Sequence, residues 1–168
     1  NSMATYKIAG PQVILEKEVL SKVYKLIGYD NSAGGTFPTG GSMSNFMSLV
    51  MARDRVNLDI KEIGISQKIV AYTSENSHYS LSKNASFTGL GKRNIRYIKS
   101  DEYGRINVLA FEKQVKIDLA KGLIPFYLNA TAGTTVLCAF DNVVALSKIC
   151  EKNNICLLYT SPSPRDRV

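Results

Sequence analysis

The sequence predicts an α/β domain whose mainly parallel sheet is covered by helices. Three short apolar runs carry the strand signal: Ile69-Val70-Ala71-Tyr72, Ile95 to Ile98, and Pro125 to Ala130. Each is followed by a segment with helical apolar spacing, and strands alternating with helices in this way form parallel crossovers.

The elements follow in chain order. Pro11 opens a helix with apolar residues at Val13, Ile14, Val19, Leu20, Val23, Leu26 and Ile27, ended by Gly28. A loop with Gly34, Gly35, Pro38, Gly40 and Gly41 follows, and Ser42 stands where an N-cap belongs. Met43, Phe46, Met47, Val50 and Met51 then repeat as one helix face, expected to be core. After the first strand, Thr73 to Ser77 lead into a helix of about a dozen residues, stopped by Gly89 and Gly91. Asp101-Glu102-Tyr103-Gly104 is a turn after the second strand. Val108, Phe111, Val115 and Leu119 mark the next helix, closed by Gly122. The third strand exits through Thr131-Ala132-Gly133-Thr134-Thr135, and Asp141 is expected to cap a helix carrying Val144, Leu146 and Ile149.

Composition excludes several classes. With 168 residues, 45% hydrophobic and 21% charged, the chain suits one globular domain or a piece of one. No run approaches the roughly 18 apolar residues of a membrane helix. The formal charge of +7 is spread along the sequence, so no nucleic-acid partner is expected. Three cysteines, at 138, 150 and 156, form neither a disulfide framework nor a metal spacing and favour a reducing, cytoplasmic setting. Cys138 and Cys150 read as small core hydrophobes. A single histidine leaves no His-rich metal site.

The chemistry-bearing residues fall in three loops. Ligands of such sheets bind beyond the carboxyl ends of the strands, where Ser74–His78 and Thr131–Thr135 lie, and Gly40-Gly41-Ser42 opens a helix. Glycines at a helix start let backbone N–H groups approach an anion that the helix dipole favours. Alone, the same string is also a plain interhelical turn. It is not a nucleotide P-loop, because Gly41 replaces the lysine and a helix precedes the loop. His78 is either a structural or exposed imidazole, or a ring that stacks on a flat heteroaromatic ligand. A Ser–His hydrolase lacks its nucleophile elbow here. Thr134 and Thr135 offer hydroxyls to a phenolic oxygen or a phosphate, or else cap their own loop.

At the chain ends, Asn1-Ser2-Met3-Ala4 reads as cut from something longer. The string from Cys156 to Asp166, with Pro162 and Pro164 among serines, resembles a translated sequencing adapter. The expected organisation is therefore a partial domain over residues 1–155 and a non-native tail over 156–168.

Taken together, Thr36-Phe37-Pro38-Thr39-Gly40-Gly41-Ser42-Met43-Ser44-Asn45, Thr73-Ser74-Glu75-Asn76-Ser77-His78-Tyr79-Ser80, and Asn129-Ala130-Thr131-Ala132-Gly133-Thr134-Thr135 through Ala139-Phe140-Asp141 resemble the pyridoxal-phosphate-dependent group II decarboxylases. The similarity is to the branch acting on glutamate, aspartate or cysteine sulfinate, and it runs in order across roughly residues 5–155. It implies the large cofactor domain of an aspartate-aminotransferase-like fold, and pyridoxal 5'-phosphate as cofactor. It implies a small acidic amino acid as substrate and a homodimer with sites at the subunit interface. Gly41 and Ser42 match the loop that holds the cofactor phosphate. His78 matches the imidazole that stacks on the ring and assists protonation, and Thr135 matches a hydroxyl near the ring's phenolic side. Loss of CO₂ leaves electrons that the ring accepts, so the protein supplies orientation and electrostatics.

Two family parts have no counterpart. The Asp of a His-Val-Asp-Ala stretch is expected just after Ile155, and the Schiff-base lysine lies further on; no lysine here sits in a matching motif. Cys138 stands where many relatives have Gly. The chain alone is thus expected to be inactive and to fold poorly, with an apolar sheet edge uncovered. The alternatives are another lyase or an aminotransferase on the same fold, or a basic binding module without catalysis.

Overall fold

A computed structural model of the chain describes residues 9–30, 32–134 and 137–160. It divides into two compact units, Asn1–Thr39 and Gly40–Val168.

In the first unit, helix α1 (Pro11–Ile27) has Pro11 in its first turn and ends at Gly28, whose φ of 80° closes the left-handed cap. Glu16 reaches from this helix to the following loop. Its carboxylate accepts from the Thr36 hydroxyl at 2.7 Å and the Phe37 N–H at 2.9 Å. These two bonds hold its pKa below the ordinary glutamate value.

The second unit contains α2 (Gly41–Val56), the single turn α3 (Ile60–Ile63), β1 (Ile69–Ser74), α4 (Ser80–Phe87) and β2 (Ile95–Ile98). It continues through α5 (Val108–Ala120), β3 (Ile124–Thr131), α6 (Val143–Lys152) and β4 (Cys156–Thr160). The four strands of the described residues pair in the order β2-β1-β3-β4, every pair parallel. This is the expected α/β architecture.

β1 is buried along its whole length, as a strand covered on both faces must be. Val70, Tyr72, Leu128 and Ala130 pack on one face with Phe111 and Val115 of α5 and Leu146 and Cys150 of α6. Ile69, Ala71 and Tyr127 pack on the other with Leu49 and Ala52 of α2 and Leu81 and Ala85 of α4. No helix of the described residues is long and apolar enough to cross a membrane.

Several local expectations are corrected. The methionine stripe of α2 is not its buried face: Met43 and Met51 are exposed, while Leu49 and Ala52 are buried. The polar Asn45 and Ser48 find partners instead, Asn45 in Ser80 of α4 and Ser48 in Tyr127 of β3. α4 spans eight residues rather than a dozen, since residues 75–79 are spent on the turn that precedes it. α6 is capped by Asn142, which accepts from Ala145 N–H at 3.1 Å, and not by Asp141. Cys150 is a buried core residue with its thiol pushed up to about 12 by burial. Cys138 is exposed instead, at a φ of 50°. That backbone disfavours any side chain, so Cys138→Gly is expected to stabilise the full-length protein by up to about 1 kcal/mol in thermal unfolding.

β4 forms over Cys156–Thr160, within the stretch expected to be a non-native tail, in register with Tyr127–Thr131 of β3. The boundary expected after Ile155 thus falls directly before a paired strand, and Pro162 and Pro164 lie outside the described residues.

Candidate active site

α2 and α4 run side by side and begin at one edge of the sheet. Near their starts, Asn45 Nδ2 donates to Ser80 Oγ at 2.9 Å, and near their ends Arg53 Nη1 donates to the Thr88 carbonyl at 2.8 Å. Because α4 follows β1, that edge is the carboxyl edge, where ligands of parallel sheets bind.

The glycine loop opens there. Gly40 is extended and precedes the first helical residue, Gly41, so Ser42 lies inside the helix rather than capping it. The helix has no side-chain cap. The N–H groups of Met43 and Ser44 turn onto the Gly40 carbonyl, both at 3.0 Å. Those of Gly41 and Ser42 are left with no acceptor in the helix. A Cβ added at Gly40 or Gly41 meets nothing within 4 Å, so the space above these amides is open. No acidic residue occupies the first turn. An uncapped, accessible helix start without a neighbouring carboxylate fits a dianionic phosphate. Asn84, from the buried face of α4, donates to the Ser42 carbonyl at 3.2 Å and fixes this turn against its neighbour.

His78 stands in the turn between β1 and α4. Its Nδ1 accepts from the Ser80 N–H at 3.2 Å, and its ring leans on Tyr79 with centroids 4.3 Å apart. With Nδ1 engaged as acceptor, the neutral ring carries its proton on Nε2. Ser80 therefore serves both loops: its N–H orients His78, and its hydroxyl takes the Asn45 amide that locates α2. No serine hydroxyl among the described residues is bonded to the imidazole. The Ser74 hydroxyl is engaged by Ser100 at 3.2 Å, while Ser77 Oγ is sealed from solvent without a partner.

The third loop leaves β3 at the same edge. Thr134 is buried and its Oγ1 accepts from the Ala139 N–H at 3.1 Å, so its hydroxyl caps its own loop. Thr135 lies outside the described residues. Asp141 anchors the base of this loop by accepting from Thr131 N–H at 2.7 Å and Ile106 N–H at 2.6 Å. Burial raises its pKa above the ordinary aspartate value, against the pull of those two bonds. The folded state therefore holds this proton more tightly than the unfolded chain does. Its contribution to stability is present at low pH and is lost as pH rises through the folded value. Asp141→Asn is expected to flatten that decline. It also places an amide NH₂ against a backbone donor, at a cost of about 1–3 kcal/mol by denaturant unfolding of the full-length protein.

Sequence reasoning singled out Gly41, Ser42 and His78, and the structure places all three at one corner of the carboxyl edge. It gave no roles to Asn45, Ser80 and Asn84, which tie that corner together. Small polar residues inside helices read as neutral until their tertiary partners are known.

Comparison with known proteins agrees with the fold. The family model described as the pyridoxal-dependent decarboxylase conserved domain matches residues 1–158. Cysteine sulfinic acid decarboxylase of Mus musculus is 40% identical over 156 residues, covering 92% of this chain and 31% of the relative. The crystal structure of mouse CSAD superposes with a TM-score of 0.89 at 38% identity, over 95% of this chain and 34% of that one. The glutamate decarboxylase domain of a diaminobutyrate-pyruvate transaminase and L-2,4-diaminobutyrate decarboxylase from Vibrio parahaemolyticus gives 0.88 at 27% identity, over 95% and 36%. The chain thus spans about a third of the length of the relatives it matches. On the family model's match across nearly all of its length, the chain belongs to the pyridoxal-dependent decarboxylases.

Proposed function

We propose that the full-length protein is a pyridoxal 5'-phosphate-dependent decarboxylase that removes the α-carboxylate of a small acidic amino acid as CO₂. Glutamate, aspartate and cysteine sulfinate are the candidate substrates. The observation that carries this reading is the uncapped start of α2, open above Gly40 and Gly41 and linked through Asn45 and Ser80 to His78. When bound, the cofactor supplies the electron sink for the bond that breaks.

The chain's own residues do the rest. Gly41 and Ser42 direct backbone N–H groups at the phosphate, and the α2 dipole adds to their attraction. His78 offers a flat ring for stacking and, through Nε2, assists protonation of the reacting carbon. Thr135 is the proposed hydroxyl on the ring's phenolic side. The likeness to cysteine sulfinic acid decarboxylases supports an acidic substrate. The working form is proposed to be a cytoplasmic homodimer.

The test is CO₂ release by the purified full-length protein, with and without added pyridoxal 5'-phosphate, on each of the three amino acids. Cofactor-dependent release from at least one is the expected result. Transamination without CO₂ release would replace the reading with the aminotransferase alternative.

A further inference from the structure

β3 carries one polar side chain whose hydrogen bonding is incomplete. Asn129 is 3% exposed, and its Oδ1 is shut off from solvent with no donor among the described residues. It lies two residues beyond Tyr127, and in a strand of period two both project from the same face. For Tyr127 that face is fixed by its hydroxyl, 2.8 Å from Ser48 Oγ on α2. The register is regular from Tyr127 to Asn129, pairing them with Ala71 and Thr73 of β1. Asn129 therefore projects on the α2 side of the sheet, nearer the carboxyl edge than Tyr127. That is the side on which the α2 start and His78 were located above.

Its polar neighbours are satisfied: Tyr127 by Ser48, and Thr73 Oγ1 by the Asn129 carbonyl at 3.3 Å. On the other flank Asn129 registers with Leu158, which has no side-chain donor. An amide oxygen left unpaired in a buried strand costs free energy that a similarly sized leucine would avoid. The unmet acceptor thus points to a donor that the described residues do not provide.

We propose that Asn129 is a ligand-binding residue of this site. Its Oδ1 accepts a hydrogen bond from a donor that arrives with the phosphorylated pyridine cofactor, directly or through one ordered water. This rests on the reading of the site as a pyridoxal-phosphate pocket. It assigns to the strand floor a role in holding the ligand, alongside the phosphate loop.

The test uses the full-length protein stripped of cofactor, as wild type and as Asn129→Leu. Pyridoxal 5'-phosphate is titrated by absorbance, and melting is followed with and without it. The expected result for Asn129→Leu is a dissociation constant raised about tenfold, as for one lost hydrogen bond to a ligand. Its cofactor-free form should melt at or above the wild-type temperature, because the orphaned oxygen is gone. The shift on adding cofactor should shrink accordingly. A dissociation constant within about twofold of wild type, with a lower cofactor-free melting temperature, would assign Asn129 to structure alone and overturn the proposal. If the leucine variant does not fold, Asn129→Ala is read by the same two measurements. Failure of the wild type itself to bind would instead overturn the reading of the pocket, and this proposal with it.

Discussion

Replacing His78 with alanine in the full-length protein is expected to lower kcat about 10²–10⁴-fold, the range for losing a positioned acid–base group. The basis is the tautomer set by the local fold, in which Ser80 N–H engages Nδ1 and leaves the proton on Nε2. His78→Phe separates the two roles of the ring. It retains a flat surface for stacking, so cofactor affinity should stay within a few-fold of wild type while kcat remains as low as in the alanine variant. Cofactor titration and CO₂ release on the same preparations check both parts. A His78→Phe enzyme with near-normal kcat would show that the ring only stacks.

The second large effect is on stability, at the opposite face of the sheet. Asp118 of α5 is 1% exposed and gathers donors from three elements. The Tyr72 hydroxyl of β1 reaches it at 2.9 Å, Arg96 Nε of β2 at 3.2 Å, and Gln114 Nε2 of α5 at 3.1 Å. Burial, and the bond to Asp118, hold the Tyr72 hydroxyl protonated well beyond the ordinary tyrosine range. Asp118→Ala leaves a buried hydroxyl and a half-buried guanidinium without their acceptor. The expected loss is about 3 kcal/mol in denaturant unfolding of the full-length protein, near the low end for breaking a buried pair because Arg96 retains some solvent. Asp118→Asn retains one acceptor and should lose clearly less. Equal losses for the two variants would mean that the cluster contributes through packing rather than through its hydrogen bonds.

The strands were legible because Ile69–Tyr72, Ile95–Ile98 and Pro125–Ala130 are dense in apolar and β-branched residues, and the alternation with helices fixed their parallel sense. Helix starts were less so. Ser42 and Asp141 carry good capping side chains, yet the helices begin after Gly40 and Asn142. Asp141 is engaged elsewhere, by Thr131 and Ile106, and nothing local to Asp141 signals that. The methionine stripe of α2 misled for a related reason. Asn45 and Ser48 look like solvent-facing positions until Ser80 and Tyr127 are brought to them by the fold. Cys138 looked like core because cysteine usually is, whereas its positive φ is a property of the loop. Asn129 read only as part of a matching string, since an unmet hydrogen bond exists only once the neighbours are in place.

The phosphate site at the start of α2 is tested by the affinity of the full-length protein for pyridoxal 5'-phosphate with Ser42 replaced by aspartate. An added carboxylate in the first turn of α2 repels a phosphate held there, yet suits the helix dipole when the site is empty. The expected result is a cofactor-free protein that melts at or slightly above the wild-type temperature, with a dissociation constant raised at least about tenfold. An unchanged dissociation constant in a folded Ser42→Asp protein would contradict it, by showing that the phosphate is held somewhere other than the start of α2.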